Sequence, residues 1–99
     1  MAFVRTENYT AKNGDVYADV AAWVAAHGNT CMAGAAAHGY TGAHTLLEGG
    51  NGIKVVLTYT DEAAHTAHMD VIKGVNPDVD LTGSWDHSDA VTCTFVSAV

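Results

Sequence analysis

Two histidines three residues apart, His65 and His68, fall in a stretch of helical spacing, and Tyr59 closes the strand-like run just before it. At about 100° per residue, Ala64, Val71, Ile72 and Val75 share one helix face; His68 falls near its middle and His65 on its flank. Ordinary patterning puts apolar side chains there, so each imidazole has two readings. His68 is either a buried neutral ring bonded to a backbone carbonyl or to a partner subunit, or a polar group lining a substrate cavity. His65 is either packed or a general acid–base, with Tyr59 stabilising an enolate through its hydroxyl. The tryptophans divide similarly. Trp23 lies on the inward face of a helix, as core or as a wall against substrate. Trp85 sits in the polar run Gly83-Ser84-Trp85-Asp86-His87-Ser88-Asp89, where it can close over a cavity or pack at a subunit interface.

Other chemistries find no support. A metal held by His65 and His68 would need a third ligand such as His44 or Asp70, and no HExxH or paired-cysteine set supplies one. Cys31 and Cys93 lie far apart outside any CxxC pattern and read as reduced, buried thiols. There is no GxSxG nucleophile elbow. Gly49-Gly50-Asn51-Gly52 joins two strands, so it is a hairpin and not a phosphate cradle. Asp78, Asp80, Asp86 and Asp89 lack calcium-loop spacing.

The 99 residues allow one domain, spanning 1–99. Lys and Arg number 4 against 11 Asp and Glu, a formal charge of −7. So few cations cannot coat nucleic acid or an anionic membrane. No apolar run nears a membrane span, and the N-terminal residues lack a signal-peptide layout. We expect a soluble, acidic, cytoplasmic protein. Apolar content is 48% and mean hydropathy +0.07, so the chain is no disordered acidic tail. Its 17 Ala and 12 Val against 4 Leu suit close helix-to-sheet packing and leave room for a ligand or a second subunit.

Those side chains need elements to position them. Phe3 to Asn8 reads as a strand, and Asp15 caps a helix carrying Val16, Val20, Trp23, Val24 and His27 on one face. The Ala-rich 31–38 stretch shows no face. Thr41 to Glu48 and Ile53 to Thr60 are strands flanking the hairpin, and Thr60 or Asp61 caps a second helix running to Lys73 and stopping at Gly74. Asn76 to Asp89 reads as an acidic loop, and Ala90 to Ser97 as the last strand. The order β-α-β-β-α-β is the ferredoxin-like α+β arrangement, a four-stranded antiparallel sheet with two helices on one face. Its other face, expected to carry Val, Ile, Thr and Cys, is too apolar to stand in water, which predicts a homodimer through the sheet.

The run from Val55 to Met69 resembles the strand-to-helix signature of the dimeric α+β barrel superfamily, closest to its antibiotic-biosynthesis-monooxygenase-like members. Tyr59 stands at the aromatic position, Asp61 at the cap, Ala64 at the alanine, and Ala67-His68-Met69 at the closing triplet. The resemblance implies a dimer with a cavity between sheet and helices. It also implies cofactor-independent monooxygenase, isomerase or cyclase chemistry on an apolar or aromatic molecule. His65 and Tyr59 would then be catalytic, and His68, Trp85 and Trp23 would bind substrate. The alternative is a non-catalytic dimeric binding or stress-associated module whose histidines are structural.

Overall fold

The computed structural model describes residues 2–27, 41–86, 88 and 90–99. Cys31, His38, His87 and the Ala-rich 31–38 stretch lie outside the described residues. The elements run β1 (Phe3–Ala11), α1 (Val20–His27), β2 (Thr41–Leu46), β3 (Gly52–Tyr59), α2 (Glu62–Val75), β4 (Ser84–Asp86) and β5 (Val91–Ala98). The strands form one antiparallel sheet in the order β2-β3-β1-β5-β4. Without β4, this is the strand order of the split βαβ unit. The expected four strands are therefore five. The added one lies inside the stretch read as a loop, where Trp85 pairs with Cys93 and Ser84 with Thr94.

Strand β1 is central, and its alternation assigns every side chain to a face. Arg5, Glu7, Tyr9 and Ala11 are buried on the helix side, opposite Leu57, Val55 and Ile53 of β3 and Cys93 and Val91 of β5. The other face carries Val4, Thr6, Asn8 and Thr10, with Lys54, Val56, Thr58, Thr92 and Thr94 from the neighbouring strands. Ile53 and Cys93, expected on this open face, are turned to the helices, because the register places them opposite Tyr9. The open face is thus threonine-rich rather than Ile- and Cys-bearing.

Helix boundaries follow local hydrogen bonding. The first helix starts at Val20, not Val16: Asp19 accepts from the Ala22 amide at 2.8 Å, while Asp15 closes a turn with Asn13. The Tyr17 amide donates to Gly50 O at 2.7 Å, which holds residues 15–17 to the hairpin and leaves Val16 69% exposed. Asp61 caps α2 by accepting from the Ala64 amide at 2.9 Å. Gly74 does not stop that helix; it runs on to Val75, and Asn76 ahead of Pro77 ends it.

The hairpin between β2 and β3 has the glycines its backbone demands, with φ of +87° at Gly49 and +79° at Gly50. Gly52 is required for a different reason. A Cβ there would run into the carbonyl of Tyr9 and lie 2.9 Å from Thr10 Cα, both backbone of the central strand. Gly52→Ala is expected to cost about 3 kcal/mol of stability, read as a lowered urea midpoint with an unchanged m-value.

Candidate functional site

The α2 helix crosses the sheet and borders two distinct regions. Over its first half, the ends of β1 and β3 bring Phe3, Arg5 and Tyr59 against His65 and His68. Beside its second half, β4 and the 76–83 segment enclose an apolar groove.

In the first region, Arg5 is 1% and Glu7 4% exposed, both pointing from β1 toward the helices. Arg5 Nε donates to Glu7 Oε2 at 3.0 Å, and the Tyr9 hydroxyl donates to Glu7 Oε1 at 3.4 Å. A second guanidinium nitrogen donates to Leu81 O, and the group stacks over Phe95 at 4.8 Å from the ring centroid. Arg5 Nη1 then lies 3.5 Å from His65 Nε2. A guanidinium only donates, so Nε2 accepts and the neutral ring carries its proton on Nδ1. His65 also packs at a tilt against Phe3, centroids 4.7 Å apart, and meets Tyr59 edge-on at 5.2 Å. Burial, followed by the Arg5 charge, lowers its pKa; Glu62 offsets part of this. Burial and Arg5 thus favour the neutral form of the ring.

His68 is buried, and its Nδ1 lies 2.7 Å from the Tyr59 hydroxyl. The Tyr59 hydroxyl is thus one hydrogen-bond partner of this ring. Tyr59 is itself buried, with its hydroxyl against His68. The structure thus brings His65, Tyr59 and His68 into one cluster of rings. Trp23 stands apart at 1% exposure, edge-on to Tyr17 at 5.3 Å and tilted against His27 at 4.3 Å, whose Nε2 bonds the Tyr17 hydroxyl at 2.7 Å. This is a core position.

The groove in the second region has a volume of about 380 Å³ and is lined by Val71, Ile72, Val75, Val79 and Trp85, with Asn76 and Asp86 as its polar members. Trp85 is the one sequence-selected residue that reaches it. β4 places its indole on the same side of the sheet as Cys93, facing α2. Neither His65, Tyr59 and His68 nor Trp23 lines this groove. His44 points to the helix side from β2, and burial lowers its pKa. Among the described residues no group of three His, Cys, Asp or Glu is placed to hold a metal. Among them, too, no helix is long and apolar enough to cross a membrane.

Arg5 and Glu7 were not selected from sequence as site residues, although Phe3-x-Arg5-x-Glu7-x-Tyr9 puts both charges on the face of two aromatics. That spacing was the available signal. Compared with protein-family models, with curated proteins and with solved structures, the chain matches none.

Two measurements check this geometry. Removing the carboxylate leaves a buried guanidinium uncompensated, so Glu7→Gln is expected to cost about 3 kcal/mol in chemical denaturation. The second concerns pH. The folded state holds His65 and His44 below their ordinary value of 6.5. On acidification the unfolded chain therefore takes up protons first. Their contribution is present in full above pH 6.5 and is lost as pH falls from there through the folded values. Melting temperature should thus drop below pH 6.5, and His65→Gln should make that drop shallower.

Proposed function

We propose that this protein binds a small apolar or aromatic molecule in the groove between α2 and β4, and that it does so as a homodimer paired through its open sheet face. The observation that carries the first part is the groove itself. Five apolar side chains enclose a volume at the small end of ligand sites, with few polar groups to orient a guest. Val75 at 84% and Val71 at 49% exposure, one turn apart on α2, form its open apolar edge.

For the dimer, the support is charge segregation on a half-buried face. Of the open-face positions on β1, β3 and β5, only Lys54 is charged, in a chain of net charge −7. Asp86 of the edge strand β4 also lies on this face, beside Thr92, and there it is paired with Lys12, so a second copy meets that acid already neutralised. Strands about 4.8 Å apart make the face roughly 20 Å across. The resemblance to dimeric α+β barrels agrees with this pairing.

Catalysis is a second reading, favoured by one observation: a half-buried imidazole at His65, its neutral form favoured, packed against Tyr59. Cofactor-independent proton transfer or oxygenation there needs a substrate at His65 itself, because the Tyr59 hydroxyl is already shared with His68. The groove lies along the same helix but is not built from these residues, so binding is the better-supported function.

The test is an amide NMR titration with 1-naphthylmethanol, a neutral two-ring probe. Binding in the groove shifts the Ile72, Val75 and Val79 amides and the Trp85 indole, and Val75→Asp weakens it about threefold by removing an apolar edge of the groove. Val75 is exposed, so the variant keeps its fold. In the same titration His65→Leu leaves the affinity unchanged; shifts centred on Phe3 and His65 instead would favour the catalytic reading.

A further inference from the structure

Resting on that groove, we infer the class of its ligand: a small flat cation, an aromatic ring bearing an amine. The lining contains no Lys, Arg or His, so nothing in it can pair with a carboxylate or phosphate head. Of its two polar residues, Asn76 carries a side-chain oxygen able to accept from an ammonium group, whereas the Asp86 carboxylate pairs with Lys12 on the other face of the sheet. Asn76 is also the C-cap of α2, and a 14-residue helix presents the negative end of its dipole at that point.

The surroundings carry the same sign. From Asn76 to Asp86 the chain has Asp78, Asp80 and Asp86 and no basic residue. Among the described residues Asp86 alone of these is in an ion pair, with Lys12 Nζ at 3.0 Å; Asp78 and Asp80 are exposed and form none. Lys73, in the last turn of α2, is outside the lining. An anionic guest would therefore enter past the two exposed carboxylates of Asp78 and Asp80 and a helix C-terminus, whereas a cationic one would be drawn in by them.

The apolar wall sets the rest of the molecule. Trp85 offers an indole that can take a ring against its face or a cation over it, and Val71, Ile72, Val75 and Val79 make the slot around it apolar. A volume of about 380 Å³ suits a body of one or two rings rather than a long acyl chain or a macrocycle. The ring would lie along Trp85 with the amine toward Asn76 and the acidic segment.

Three matched probes decide this: 1-naphthylmethylamine, 1-naphthylmethanol and 1-naphthylacetate, titrated at pH 7 and followed at the Trp85 indole. The amine is expected to bind about fivefold tighter than the alcohol, and the carboxylate about fivefold weaker. Raising the salt to about 0.5 M should bring the three together, since mouth charges are screened. Asp78→Asn, a change at an exposed site, should narrow the amine-to-carboxylate ratio without altering the fold. Equal affinities, or a preference for the carboxylate, overturn the ligand class and leave apolar binding standing. No shift at Trp85 with any probe overturns both the ligand class and the groove as a binding site.

Discussion

A buried guanidinium constrains most of this structure. Arg5 sits in the central strand under α2, where a charge survives only if every donor finds an acceptor. Its partners come from three places in the chain: Glu7 on the same strand, Leu81 O on the segment after α2, and His65 on the helix. Phe95 on β5 covers the remaining face. Satisfying one side chain thus docks a helix and a connecting segment onto the sheet. Tyr9 extends the chain of bonds to a second acceptor atom of Glu7, so neither buried charge is left to itself.

The same arrangement explains how a groove arises at the far half of α2. Leu81, held by Arg5, lies two residues from Val79, which is buried and forms part of the groove wall. Two residues after Gly83 the chain places Trp85 opposite Cys93. Between these anchors and the exposed valines of α2 the packing does not close, because Val and Asn have little bulk to fill the gap. A core of Ala and Val, with few Leu, leaves such space more readily than one built of larger residues.

Strong local signals were legible in the sequence. Ile53 to Tyr59 is β-branched and aromatic throughout, Gly49-Gly50 can adopt positive φ cheaply, and Asp61 offers a cap to the helix behind it. Those three features make the βαββαβ order readable. What was not legible depended on distant partners. Nothing near Val16 announces that Gly50 O will claim the Tyr17 amide and delay α1 by a turn. Ser84-Trp85-Asp86 is too short and polar to show a strand period, and it is a strand only because β5 offers it an edge. At the site, His68 on the apolar face was correctly legible as a buried imidazole, but its Tyr59 partner required the β3-to-α2 geometry. The roles of Arg5 and Glu7 were written in the alternation of β1, yet their acceptors on Leu81 and His65 lie some 60 to 76 positions away.

The central claim is a paired sheet with a ligand groove on each copy, and native mass spectrometry of the protein with an excess of 1-naphthylmethylamine tests it most directly. The account predicts a species near twice 10.3 kDa that takes up one probe molecule per subunit. A 10.3 kDa monomer that carries no probe would contradict it.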